Sequence, residues 1–173
     1  LAKLQERDLD SNDLVQKSIE LVKKYHGNQK RNNNYPVLEG HLYPVTLSVI
    51  EHQDFTHQKT TPELVVGALL HDIIEDVPGI GPIFIHDVFG GKIENIVKAL
   101  SSIYYIGVDR RDRINKYLQG IEITGFEAII IKLADRLAAS GHWSPFEHCA
   151  RAMSAGEFDA SFHKGFEGDG PDF

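Results

Sequence analysis

The 173-residue chain is poor in sulfur and in large indole groups: it holds one cysteine, Cys149, one methionine and one tryptophan. A lone cysteine excludes an internal disulfide framework and fits a reducing compartment. Long hydrophobic runs are missing too. The longest apolar stretches reach six or seven residues, far below the ~20 that a membrane-spanning helix needs. Positive charge is scarce, with 18 Lys and Arg against 25 Asp and Glu and a net charge of −7. That balance excludes a surface that coats nucleic acid and a basic membrane patch. An acidic chain that handles a polyanion is expected to do so through a metal and a few local cations. Residues 1–8 carry acids and no apolar centre, so they do not read as a secretory signal. Without an initiator Met there, a trimmed, cytoplasmic protein is expected. The length suits one domain with its own core.

Taken in order, the chain reads as a series of helices. Residues 11–26 place Leu14, Val15, Ile19, Leu21, Val22 and Tyr25 at helical spacing, with Ser11 or Asn12 as cap and Gly27-Asn28 as stop. A polar loop with Lys30 and Arg31 follows. Such a loop is ordinarily solvated, but a guanidinium can also stack on a purine and bind phosphate bidentately. Residues 42–50 resemble a buried helix with Pro44 in its first turn. Residues 51–61 read as a polar loop, with His52 and His57 at the surface. Thr61-Pro62-Glu63 opens a central helix as cap, N1 proline and first-turn acid, and Val77-Pro78-Gly79 ends it. Around residues 109–121, Arg110, Arg111, Arg113 and Lys116 alternate with Asp109 and Asp112. That pattern is a solvated helix face whose cations could assist a polyphosphate. Residues 125–139 form a largely apolar helix with Asp135 deep inside it.

The most informative stretch is 68–77, Ala-Leu-Leu-His-Asp-Ile-Ile-Glu-Asp-Val. On one helix, each residue advances ~100°, so His71, Asp72, Glu75 and Asp76 would crowd a single side. Three carboxylates beside a buried run repel one another and resist desolvation. A bound cation removes that penalty, and imidazole with carboxylate suits Mn, Fe or Zn better than Ca or Mg. The plain alternative is a helix end with solvated acids, which the helix dipole disfavours. His71 and Asp72 would need partners from other elements. His41 is one candidate. Asp135 is another, unless Lys132 and Arg136 pair with it locally. The second His-Asp pair, His86-Asp87, is followed by Gly90-Gly91 rather than by acids and reads as a decoy.

Three motifs in this order then carry a resemblance: His41 before Leu-Tyr-Pro-Val, Leu-Leu-His71-Asp72-Ile-Ile-Glu75-Asp76, and Ile-Lys-Leu-Ala-Asp135-Arg-Leu. Together with Tyr25-His26-Gly27-Asn28-Gln29-Lys30-Arg31, they resemble the HD-domain hydrolases of the RelA/SpoT type over roughly residues 14–138. The resemblance implies an all-α HD-domain helical bundle over residues 1–141, with 142–173 as a C-terminal extension. It implies His41, His71, Asp72 and Asp135 as metal ligands, with manganese the usual ion. Glu75 and Asp76 would position the water and handle its proton. Arg31, with Lys30 beside it, would hold the nucleotide substrate, Arg31 packing on guanine. The implied reaction is hydrolysis of guanosine 3′,5′-bis(diphosphate)-type alarmones, releasing 3′-pyrophosphate and leaving GDP or GTP. With no synthetase domain following, the chain resembles the small, hydrolase-only members.

Two departures bear on substrate choice. Ala138-Ala139 stands where such hydrolases carry His-Asn or a similar pair. Residues 140–151 resemble part of a flavin-dependent thymidylate synthase, but the segment is too short for that site and is assigned no activity. Two other readings therefore stand beside the first. One is a phosphohydrolase for another nucleotide, such as the 2′-phosphate of NADPH. The other is a metal-bearing, inactive HD module that binds a nucleotide.

Overall fold

The computed structural model describes residues 2–31 and 34–139. The expectations for the extension, for Cys149 and for a short helix opening at Ser144 lie outside the described residues. Among the described residues the chain is helical and forms no strand. A single antiparallel bridge between Lys30 and Pro36 is the exception to helix and loop. No helix is long and apolar enough to cross a membrane among these residues.

After a short first turn, α1 (Ala2–Gln5), the helix α2 (Asp13–His26) begins where Asn12 Oδ1 accepts the N–H groups of Leu14 and Val15 at 3.0 and 3.3 Å. Asn12, rather than Ser11, is thus the cap. Its buried stripe is Val15, Ser18, Ile19, Val22 and His26, the i, i+3, i+4 face of an amphipathic helix. A π-helical turn, Leu38–Leu42, leads without a break into α3 (Tyr43–Phe55) and buries His41 at the junction.

The end of α3 corrects the expected loop at 51–61: residues 51–55 continue the helix, and His52 is buried rather than at the surface. His52 follows Val45 and Val49 around the inward face, and its ring meets Phe126, with centroids 6.5 Å apart. Polar composition misled here because the helical period, not the residue type, set the direction of the side chain. His57 is exposed, as expected.

The helix α4 (Pro62–Leu70) is the centre of the molecule. Thr61 caps it through Oγ1 to Leu64 N at 3.3 Å, and every residue from Leu64 to Leu70 is buried. It packs against α2, α3, α7 (Gly91–Leu100) and α9 (Phe126–Ala139). Gly67 permits that approach: an added Cβ would lie 2.9 Å from Ile96 Cγ2 and 3.1 Å from Ile131 Cδ1. Leu42, Ile50, Leu70 and Ile73 are among the fully buried side chains, each stabilising the fold by roughly 1.5–3 kcal/mol over exposure.

The central helix does not run on to Val77. It stops at Leu70, His71 and Asp72 form a turn, and a four-residue helix, α5 (Ile73–Asp76), restarts from Asp72 as its N-cap. The expected crowding of one imidazole and three carboxylates on one continuous helix face is corrected accordingly. No Pro or Gly marks the break in the sequence. The side chains of His71 and Asp72 are engaged inward instead, and the backbone turns around them. The helices α6 (Pro82–Phe89) and α7 then pack on each other, and a connector around a 3₁₀ turn, Ser102–Tyr104, leads to α8 (Arg110–Thr124).

Candidate metal centre and flanking acids

The π-helical turn delivers His41, the break after α4 delivers His71 and Asp72, and the third turn of α9 delivers Asp135. The structure brings all four together. His41 Nε2 lies 3.1 Å from His71 Nε2, 3.1 Å from Asp72 Oδ2 and 3.3 Å from Asp135 Oδ1. His71 Nε2 lies 3.2 Å from Asp72 Oδ2 and 3.8 Å from Asp135 Oδ1. The ligand atoms of His41, His71 and Asp72 all fall within 4.8 Å of one another.

Two imidazole nitrogens facing each other need one proton or one cation between them. His71 Nδ1 lies 2.7 Å from Ala68 O; since a carbonyl only accepts, Nδ1 carries a hydrogen, and Nε2, where a second proton or a metal can bind, points at the other three groups. Fixing a tautomer through the far nitrogen is how proteins orient histidines that ligate metals. The donor set, two imidazoles and two carboxylates around one point, fits a divalent ion.

The charges around that point are strongly perturbed. Burial would lower His71, but the carboxylates of Asp72 and Asp135 and the Ala68 carbonyl outweigh it and push it up to about 9. Burial likewise opposes charge on His41, and hydrogen bonds to Asp135 and Asp72 raise it nonetheless. For Asp72, burial is again opposed and overcome, here by His71 and His41, which hold it well below the usual carboxylate range. Asp135 is lowered against burial by His41, Lys132 and His71. In the metal-free chain, protons on the imidazoles supply the positive charge that the carboxylates require.

Asp135 satisfies both alternatives left open by the sequence. Its Oδ1 faces the imidazoles, while Oδ2 accepts from Lys132 Nζ at 2.8 Å. Lys132 is buried and lies over the Tyr117 ring, 5.3 Å from its centroid. Tyr117 donates in turn to Leu100 O at 2.8 Å.

Glu75 and Asp76 occupy the rim of this cluster, open to solvent on one side. Partial burial and the nearby Asp72 charge raise both carboxyls. Glu75 Oε1 accepts the backbone N–H of Ser102, which anchors α5 to the connector before α8. The two central histidines act on Asp76 in the opposite sense and lower it.

Lys30 and Arg31 lie on the loop after α2, Lys30 exposed and Arg31 half-buried. Backbone bonds shape the loop: Arg31 N to Tyr35 O at 2.9 Å, and Val37 N to Gln29 O at 3.0 Å. Gly40 leaves room for the Tyr35 ring, whose Cδ1 would stand 2.5 Å from an added Cβ. The structure records no contact between either cation and the four clustered side chains.

His86, the first half of the decoy pair, is exposed and faces Glu94 at 3.2 Å, away from the cluster. The burial of His26, quoted in the sequence only as part of the first-helix motif, was not foreseen. His26 is fully buried, with Nδ1 2.6 Å from Gln29 Oε1 and Nε2 without a hydrogen-bond partner. Its spacing from Val15, Ile19 and Val22 was the available signal, since it continues the same buried stripe.

A cleft of about 350 Å³ opens beside the rim, between the connector and α8. Ser102 and Tyr117 are among its walls, so it shares one residue with the Glu75 anchor and another with the support of Lys132.

No family model matches the chain. In an alignment of 136 residues that covers 72% of this chain, it is 26% identical to a chloroplastic protein of Arabidopsis thaliana named as a GTP diphosphokinase, RSH1. The match spans about 15% of that relative's length. Among solved structures, the chain is similar to a metazoan ortholog of SpoT described as hydrolysing ppGpp and acting in starvation responses. The two are 18% identical; the match covers 74% of this chain and 68% of that one, with a TM-score of 0.57. The helical bundle therefore shares the fold of that SpoT ortholog. Both comparisons lie among RelA/SpoT-type proteins, the group that the sequence motifs resemble.

Proposed function

We propose that this chain is a metal-dependent phosphohydrolase that removes pyrophosphate from the 3′ position of guanosine 3′,5′-bis(diphosphate)-type alarmones. The observation that carries this reading is the approach of His41 Nε2 and His71 Nε2 to 3.1 Å, with Asp72 and Asp135 closing the ring. His41, His71, Asp72 and Asp135 would hold the ion, with manganese favoured over iron or zinc. When bound, such an ion lowers the pKa of water and neutralises charge at phosphorus.

The protein groups supply the rest. Glu75, held by the Ser102 N–H, presents a carboxylate raised by burial at the rim, suited to orient water and accept its proton. Asp76, also raised, stands beside it as a second acceptor or as the acid that returns the proton. Arg31 would pack on the base and Lys30 would meet phosphate. In this reading residues 1–141 form the hydrolase unit. The similarity to the SpoT ortholog supports the choice of substrate class. Two intact acids beside the ligand ring favour an enzyme over a binding module.

The test is a substrate panel on the purified chain with and without manganese: guanosine tetraphosphate, guanosine pentaphosphate, NADPH and cyclic nucleotides. Manganese-dependent release of pyrophosphate from the first two is expected. Release of inorganic phosphate from NADPH alone would move the activity to the alternative substrate.

A further inference from the structure

The cleft between the connector and α8 is built unlike a chance surface groove. Its lining includes Ser102, Tyr105, Ile106, Arg110, Arg113 and Tyr117. Tyr105 and Tyr117 meet edge to face, with centroids 5.2 Å apart. Gly120 admits the Tyr105 hydroxyl, which would stand 2.1 Å from an added Cβ. The floor is thus aromatic and closely fitted. Two arginines stand among the lining residues, and no carboxylate partner is recorded for either among the described residues. The neighbouring Lys116 differs: it is bound to Asp112 Oδ2 at 2.9 Å and to Ile106 O at 3.2 Å. Two guanidiniums without a carboxylate partner among the described residues, beside apolar side chains, are a disposition that suits an anion. Guanidinium forks match phosphate oxygens.

Position says which anion. Ser102 holds Glu75, and Tyr117 lies under Lys132, which holds Asp135. The cleft therefore shares Ser102 and Tyr117 with the supports of Glu75 and Asp135. We propose that it binds the 5′-phosphate chain of the nucleotide, the part that stays on the nucleoside, with Arg110 and Arg113 as its ligands. This inference rests on the phosphohydrolase reading and extends it to a second subsite. Binding a remote, unreacting group lowers KM and positions the reacting one.

The experiment is a titration of GDP and guanosine into chelator-treated protein, comparing wild type with Arg110→Ala/Arg113→Ala and with Arg111→Ala as control. All three arginines are exposed, and thermal melts will show whether the fold is intact. GDP is expected to bind more tightly than guanosine, and loss of the two cleft arginines to weaken GDP by about tenfold or more, leaving guanosine unchanged. Arg111→Ala should leave both unchanged. Equal GDP affinity in wild type and the double variant overturns the assignment. So does an equal loss in Arg111→Ala, which would mean a diffuse surface charge. Pyrophosphate competing at these arginines more tightly than GDP would give the cleft to the leaving group and also overturns it. Because GDP binding is read without turnover, a chain that binds as expected but hydrolyses no alarmone would sink the reaction and leave the subsite standing.

Discussion

Lys132 and Asp135 form a partly buried ion pair across one helical turn, with Nζ 2.8 Å from Oδ2, while Oδ1 of the same carboxylate faces His41 Nε2 at 3.3 Å. One carboxylate is shared between a lysine and the candidate ligand ring. Removing the lysine leaves that carboxylate less well compensated, at a cost of roughly 1–3 kcal/mol. Lys132→Met is therefore expected to lower the melting temperature of the metal-free chain. Added manganese should restore more of that loss than it adds to wild type, because the ion then balances Asp135. Paired thermal melts with chelator and with manganese check this; equal metal-induced shifts would mean that Oδ1 does not face the ion.

Metal content tests the ring itself. His71→Ala and Asp72→Ala should each abolish stoichiometric binding, measured by elemental analysis after dialysis. His86→Ala, from the exposed His-Asp pair, should retain the metal.

Glu75→Gln separates chemistry from ligation. The amide keeps the bond to Ser102 N–H but cannot take a proton. The variant should hold its metal and lose about 10²–10⁴-fold in kcat, the range for loss of a general base. Metal loss alongside would place Glu75 in the ligand ring.

The pH dependence of the metal-free chain has a definite sign. His71 is raised from 6.5 to about 9, so its contribution to stability is fully present below its unfolded value and is lost as pH rises through about 9. His41 is shifted in the same direction. Urea denaturation with chelator present should show stability falling from pH 6.5 towards 9. Metal affinity should rise over the same interval, because ligation displaces the imidazole protons. A flat chelated profile would show that the imidazoles are not charged by their carboxylates.

Gly67 tests the packing at the centre. An added side chain meets Ile96 and Ile131 at contact distances, so Gly67→Val should destabilise by about 1–3 kcal/mol through overpacking. Denaturant titration measures it; a stabilised variant would mean that α7 and α9 yield freely.

The sequence made the ring of four legible because each member carried its own signal: a His-Asp pair after a buried run, a histidine at a helix start, and an aspartate in an apolar helix. Spacing marked individual helices, and the all-helical class followed from the resemblance that the motifs carry. What stayed hidden were features decided by tertiary partners. Nothing in Leu70-His71-Asp72-Ile73 breaks a helix by propensity, so the interruption came from side chains drawn inward. His52 looked polar and turned out buried, because α3 kept its period past residue 50. The hold of Ser102 on Glu75 joins residues 27 apart in the chain, which no local pattern encodes.

The interruption after Leu70 has a consequence for how this protein can change. Because α4 ends before the acids begin, Glu75 and Asp76 ride on a separate four-residue turn that pivots at Asp72. Their aim can be altered by substitutions in the connector the turn leans on, with the seven buried residues from Leu64 to Leu70 left undisturbed. The turn itself is rooted in the core through Ile73 and Ile74, so selection could retune the reaction from the connector's side without first repairing the core.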